Sequence, residues 1–352
     1  MDTESFVLEI VDIVDETEHA KSIRFAVPAG AEEAFAYRPG QFLTVAVPSD
    51  TTDIAARCYS LSSSPYDGGY LTVTVKRTVD GYASNWICDK LGVGDTLRVL
   101  PPSGIFTPAS YDRDLLLFAA GSGVTPIMSI TRAALSEGNG RIVVFYANRD
   151  QDSVIFATEL AALAARNPGR LQVVHWLESV QGLPTIEQLK AYASDHLSSD
   201  AFVCGPAPFM SMVTAALKEL GFPRERRHQE KFVSLGGNPF GHVERGTEPE
   251  PALAVDETAA APVKLEVELD GCERIFDDWD PGTTLLDFLE SKGVKAPYSC
   301  REGECSACAV QLLAGDVKML RNDVLDEDDL ADGIRLGCQS VPVTDTVKVT
   351  YG

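Results

Sequence analysis

This 352-residue chain is short of basic residues relative to acidic ones and has no long apolar run. Thirty Lys and Arg stand against 52 Asp and Glu, a formal net charge of −22. That balance excludes nucleic acid as an expected partner, because phosphate backbones are held by clustered cations. No run of about twenty apolar residues occurs, so no membrane-spanning helix is expected. The richest stretch, 115–130, is broken by Gly121-Ser122-Gly123 and Pro126. The opening Met1-Asp2-Thr3-Glu4 lacks the basic, then apolar, start of a secretory signal, and a cytoplasmic location is expected. The five histidines, at 19, 175, 196, 228 and 242, show no metal-ligand spacing and suggest no acid–base role. Ser103 and Ser122 sit in no motif that supplies a general base, so hydrolysis has no support. Apolar residues make up 45% of the chain, ample for packed cores, and the length suggests two or three domains.

Cysteine is present but unevenly spread. Cys300, Cys305 and Cys308 share one short loop, and Cys338 arrives 30 residues later. C-x4-C-x2-C…C is the plant-type [2Fe–2S] ligand spacing. Each iron of such a cluster takes two bridging sulfides and two thiolates, so four thiolates must converge. Ser299, Ser306 and Ala307 are small, and Gly303 lets backbone N–H groups turn toward the sulfurs. A structural zinc site would usually pair two C-x2-C knuckles, and only one is present. Cys58, Cys88 and Cys272 read as small packing residues, and the whole set suits a reducing compartment.

Patterning divides the chain. Alternating runs at 6–14, 22–27, 42–47, 71–76 and 96–99, separated by Pro and Gly turns, predict an antiparallel β-barrel over residues 1–110. From 111 to 238, strands at 115–120, 142–146, 171–177 and 201–204 alternate with helices at 157–165, 186–193 and 209–220. That order predicts an α/β domain with a doubly wound parallel sheet. Residues 239–262 are rich in Pro, Ala, Thr and acids, without apolar period, and read as a linker. Beyond it, 263–269 alternates, Asp270-Gly271 offers a hairpin turn, and Thr284 can cap a helix to Ser291 that Gly293 ends. A hairpin, a helix and the cysteine loop predict a β-grasp domain over 263–352. That last segment holds 19 acids and nine bases. Such a face either steers toward a basic redox partner or serves solubility.

The chemistry falls at the joints. Gly121-Ser122-Gly123, between a buried strand and a helix, can cradle a pyrophosphate at a helix N-terminus; a tight turn without function would also need glycine. Arg57-Cys58-Tyr59-Ser60 offers a guanidinium for a diphosphate. The aromatic two residues on is expected to face the other way along the strand and stack on a ring. Gly81-Tyr82-Ala83-Ser84 reads as a glycine turn and a helix start with a capping serine. Pro102 to Phe106 closes the barrel, and Cys204-Gly205-Pro206 ends the last strand before a helix.

Taken in this order, these motifs resemble the ferredoxin–NADP reductase superfamily over residues 1 to about 235. With the cluster domain added, the whole chain is similar to the reductases of multicomponent oxygenases. The resemblance implies that Arg57, Tyr59 and Ser60 hold a flavin and that Gly81 and Ser84 approach its diphosphate. By the same likeness Gly121, Ser122, Gly123, Thr125 and Pro126 receive the nicotinamide dinucleotide. Cys204 and Gly205 would border the nicotinamide, and Phe232 would lie near the isoalloxazine. It further implies FAD rather than FMN and a chain without an obligatory catalytic side chain. NADH is expected over NADPH because a 2′-phosphate site needs clustered positive charge, and residues 147–152 offer Arg149 alone beside Asp150 and Asp152. Electrons would pass from NADH through FAD and the cluster to a separate terminal oxygenase of Rieske type. A monomer is expected. A redox sensor or cluster carrier with a vestigial flavin fold stays open at this point.

Overall fold

A computed structural model describes residues 5–49, 53–232, 235, 238–240, 262–269 and 271–351. The expected linker therefore lies almost wholly outside the described residues, as do Asp270 of the hairpin turn and His242. The chain divides into two compact units, one of Phe6–Phe232 and one that contains Val233–Gly352.

The first unit begins with strands β1 (Phe6–Thr17), β2 (Ala20–Ala26), β3 (Phe42–Ser49), β4 (Asp53–Ser60) and β5 (Tyr70–Lys76). Helix α1 (Tyr82–Lys90) and strand β6 (Thr96–Val99) follow. The order β4-β3-β6-β1-β2-β5 is antiparallel throughout. A bridge from Leu61, just past β4, to Val73 of β5 joins the two ends and closes the barrel. Alternation drives it: Leu8 and Ile10 are buried while Val7 is 60% exposed. Ile23, Phe25, Leu43, Val45, Val73 and Val75 line the same core.

The second half alternates as its sequence predicts: β7 (Leu115–Ala120), α2 (Val124–Glu137), β8 (Ile142–Asn148), α3 (Ala157–Arg166) and β9 (Leu171–Leu177). Short α4 (Glu178–Gln181), α5 (Ile186–Ala193), β10 (Asp200–Cys204), α6 (Ala207–Glu219) and β11 (Arg227–Glu230) complete it. Every residue of β7, β8 and β10 is buried, as a sheet covered on both faces requires. The sheet runs β11-β10-β7-β8-β9, all parallel. β11 has no apolar period and was not expected from the sequence. It is held by pairing with β10 and by His228 stacked on Phe202 at 4.4 Å.

Barrel and sheet are joined within this unit. Ser129 of α2 donates to the Ser63 carbonyl at 2.6 Å, and Arg132 pairs with Asp67 at 3.0 Å and Glu159 at 2.5 Å. Phe106, from the segment expected to close the barrel, packs edge-on against Phe202 of β10.

The second unit carries β12 (Val263–Leu269), β13 (Cys272–Trp279), α7 (Leu285–Ser291), β14 (Ala309–Ala314), β15 (Val317–Met319) and α8 (Glu327–Ala331). Strands β16 (Ile334–Leu336), β17 (Ser340–Pro342) and β18 (Thr346–Thr350) complete it. Its sheet order is β13-β12-β18-β14-β16, with β12 and β18 parallel and the other pairs antiparallel, the β-grasp arrangement. The Thr284 hydroxyl accepts from Asp287 N–H and caps α7, whose Leu285, Leu286, Phe288 and Leu289 enter the core around Trp279. Cys88 is buried and Cys58 half-buried, as packing residues should be. Cys272 is exposed beside the hairpin turn and is not a packing residue, because the outer strand leaves it uncovered.

Candidate functional site

The flavin-type motif sits on β4. In register with β3, Tyr59 pairs with Leu43 and Ser60 with Phe42, so the motif is fixed along one barrel strand. Arg57 and Tyr59 do not face opposite ways. Side chains two apart on a strand share a face, both are half-buried, and the Arg57 charge acts on the Tyr59 phenol. A cation and an aromatic ring on one face suit a ligand that carries both a ring and a phosphate. Ser60 is buried.

Ser84 departs from its expected role. Gly81 is the N-cap of α1 and no side chain caps it. The Ser84 hydroxyl instead accepts from Thr78 N–H at 3.0 Å and closes the turn before the helix. Gly81 is required there: a Cβ would stand 2.7 Å from the Thr78 Cβ.

The dinucleotide-type turn lies where the parallel sheet changes direction. The chain builds β7, β8 and β9 outward on one side, then returns to place β10 and β11 on the other. The switch point is therefore between β7 and β10, and ligands of such sheets bind at the carboxyl ends there. Gly121-Ser122-Gly123 leaves β7 as one 3₁₀ turn, with Gly121 at φ +53°. A Cβ on Gly123 would stand 2.2 Å from the Cys204 carbonyl oxygen, and one on Gly205 would stand 2.9 Å from the Ala120 Cβ. The two motifs thus pack backbone to backbone. Thr125 and Pro126 are buried in the first turn of α2, where the Thr125 hydroxyl donates to the Ser122 carbonyl. Gly121 and Ser122 remain half-exposed.

Two residues here had no signal of their own in the sequence. Lys76, at the end of β5, brings its ammonium to 3.5 Å from where a Gly121 Cβ would be. Burial and then Arg149 lower its pKa. It places a cation beside the turn, as a pyrophosphate site needs. Glu230 ends β11 opposite Cys204 of β10. Burial pushes Glu230 up to about 8 and raises the Cys204 thiol well above its usual range, so both are neutral near pH 7. Phe232, two residues on, is 48% exposed.

In the second unit the four cysteines converge. All are buried. The Cys305 and Cys300 sulfurs lie 3.1 Å apart, and Cys300 N–H and Glu302 N–H point at the sulfurs of Cys305 and Cys300, each at 3.4 Å. Hydrogen bonds from Cys305 and Cys338 lower the Cys300 thiol, whereas Cys300 and Cys308 raise Cys338, so the four thiols are near neighbours. Gly303 turns the loop at φ +74°, and Arg301 holds φ +58° although it carries a side chain. That costs roughly 1–3 kcal/mol. Arg301 is secured by stacking 3.9 Å over Tyr298 and by an ion pair to Glu290 at 2.6 Å. Amide donors aimed at a buried quartet of thiols fit a cluster whose sulfurs carry negative charge.

A flavin-type barrel, a dinucleotide-type sheet and a ferredoxin-type cluster loop together define a pyridine-nucleotide-dependent flavoprotein reductase with its own iron–sulfur domain. Residues 8–107 match the oxidoreductase FAD-binding domain, 117–215 the oxidoreductase NAD-binding domain and 267–343 the 2Fe-2S iron-sulfur cluster binding domain. The chain is 53% identical to the ferredoxin reductase component of 3-ketosteroid-9-alpha-monooxygenase from Rhodococcus rhodochrous, over 99% of this chain and 97% of that one. It is 33% identical to a component chain of the 1,2-phenylacetyl-CoA epoxidase of Escherichia coli, over 98% and 97%. Phthalate dioxygenase reductase superposes over 99% of this chain and 98% of its own, with TM-score 0.59 and 22% identity, a likeness of fold. The chain belongs to the family of three-domain ferredoxin reductases that serve as reductase components of monooxygenases.

Proposed function

We propose that this chain is the NADH-dependent reductase of a 3-ketosteroid 9α-hydroxylase system and delivers electrons to a separate terminal oxygenase of Rieske type. The observation that carries this reading is 53% identity along 99% of the chain to such a component. Bound FAD and cluster would supply hydride acceptance and one-electron transfer; the side chains bind, orient and tune. Arg57 would neutralise the flavin diphosphate, Tyr59 and Ser60 would hold its ring system, and Gly81 with Ser84 would border the diphosphate. The Gly121–Gly123 turn, with Lys76 beside it and Thr125 and Pro126 bracing it, would seat the NADH pyrophosphate. Cys204, Gly205 and Phe232 would line the nicotinamide and isoalloxazine. Cys300, Cys305, Cys308 and Cys338 would ligate the two irons.

NADH is favoured over NADPH because Arg149 is the single cation among residues 147–152 and stands beside Asp150 and Asp152. The working boundaries are a flavin domain of 1–110, a nicotinamide domain of 111–238, a linker of 239–262 and a ferredoxin domain of 263–352. Among the described residues no helix is long and apolar enough to cross a membrane. We take the protein to be a cytoplasmic monomer.

The test is reconstitution. Purified chain, NADH and a 3-ketosteroid 9α-oxygenase component should hydroxylate the steroid at the rate set by added reductase, and NADPH should substitute poorly. Support of a phenylacetyl-CoA epoxidase but not of the steroid oxygenase would reassign the partner. Flavin that NADH fails to bleach would leave a sensor or cluster carrier.

A further inference from the structure

Tyr351 follows β18, and its backbone N–H donates to the Glu268 carbonyl at 2.9 Å, which ties it to β12. Its ring lies in the core with Leu285, Leu336 and Val347, and the residue is 8% exposed. Its hydroxyl has no hydrogen-bond partner in the structure. A buried donor left unpaired is costly, and phenylalanine would fill the same space without that cost. The position of the hydroxyl explains the choice of tyrosine.

The oxygen stands 2.9 Å from where a Cβ on Gly337 would be. Gly337 donates its N–H to the Cys308 carbonyl at 2.9 Å and directly precedes Cys338. The hydroxyl therefore lies against the backbone link between two of the four thiols. A side chain at 337 would take up the space the hydroxyl occupies. A phenol ordinarily titrates at about 10, so the hydroxyl carries its proton near pH 7 and can donate.

We propose that, with the [2Fe–2S] cluster bound, the Tyr351 hydroxyl turns its proton toward the cluster's own sulfurs on the Cys308–Cys338 side and raises the cluster's reduction potential. The inference rests on the reading of the four cysteines as cluster ligands. Reduction adds one electron to the cluster, and Tyr351 neither gains nor loses its proton. A donor aimed at sulfur stabilises the more negative state more, and hydrogen bonds to the sulfurs are among the factors that set such potentials. Tyr351 is thus a positioning and tuning residue, not a ligand.

The experiment is Tyr351→Phe in the full-length holoprotein, followed by potentiometric titration of the cluster by EPR. The reduced form should be disfavoured about tenfold, a fall of about 59 mV for a one-electron couple. Iron content and flavin reduction by NADH should be unchanged. A purely packing role predicts no change with phenylalanine, so an unshifted potential overturns the proposal. Should Tyr351→Phe lose its cluster, wild-type holoprotein carrying ¹⁷O at its tyrosine phenols decides by ENDOR of the reduced cluster. A ¹⁷O coupling is expected, and its absence overturns the proposal. Failure of the underlying reading would show separately, as wild-type protein without two irons and acid-labile sulfide.

Discussion

Gly123→Ala should damage the nicotinamide site out of proportion to the single methyl it adds. The new Cβ would stand 2.2 Å from the Cys204 carbonyl oxygen, 2.4 Å from its carbon and 2.7 Å from Gly205 N. All three atoms are backbone, so no side chain can swing away. Ordinary contact begins near 3.4 Å, so the β7–α2 turn and the end of β10 must part by about 1 Å. Overpacking of this kind costs about 1–3 kcal/mol. A displacement of about 1 Å at a reacting geometry can cost on the order of 100-fold in rate. Stopped-flow reduction of the bound flavin by NADH should therefore slow by about that factor, while thermal unfolding shifts by only a few degrees. The cluster, held in the other compact unit, should keep its EPR signal and iron content. Near wild-type reduction by a folded Gly123→Ala protein would refute the idea that these two motifs form one close-packed joint.

Other outcomes follow from the same structure. Cys305→Ser should leave NADH-dependent flavin reduction intact but abolish electron delivery to the terminal oxygenase; loss of both would mean that the two half-reactions depend on each other. Glu230 is neutral in the fold, with its pKa pushed up to about 8 from the ordinary 4.5. Its contribution is complete below pH 4.5 and is lost as pH rises through 8, about 4–5 kcal/mol in all. Glu230→Gln should flatten the decline in denaturation midpoint between pH 5 and 8.5, and parallel curves for the two proteins would argue against a buried neutral acid. The acidic run at 326–329 is partly structural, since Asp326 and Asp329 cap α8 reciprocally. A test of electrostatic steering that spares this cap therefore alters Glu327 and Asp328. Glu327→Gln with Asp328→Asn should slow transfer to the oxygenase at low salt and flatten its salt dependence, with reduction of a small artificial acceptor unchanged. Equal rates at low ionic strength would leave the run a solvated turn.

What could be read in the sequence was what local chemistry determines. Cysteine spacing pointed to a segment that the structure folds with all four thiols buried and that matches a 2Fe-2S domain, because three of the four are near in sequence. Thr284 capped its helix as expected because a cap needs only its next three residues. β11 escaped notice because Arg227-His228-Gln229-Glu230 is stabilised by its neighbour strand and the ring of Phe202, neither of which a periodicity can register. Lys76 and Tyr351 escaped for the same reason: each meets its site through a partner distant in the chain. The shared face of Arg57 and Tyr59 is a different matter, for strand geometry alone requires it, and the expectation of opposite faces was an error of period.

The glycine motifs show why weak local signals can be strong together. Gly121-Ser122-Gly123 alone fits any tight strand–helix turn, and Cys204-Gly205-Pro206 alone fits any strand end. In the structure each explains the other. Gly123 must lack a Cβ because the Cys204 carbonyl occupies that space, and Gly205 must lack one because Ala120 does. The two strands are neighbours, with Ala119 in register with Cys204. Their carboxyl ends can approach this closely only if both turns are bare. That closeness sets the glycine turn beside Cys204 and its strand partner Glu230, as the proposed dinucleotide site requires. A chain that kept one motif and lost the other would retain a turn but no site, so their joint presence carries the functional information.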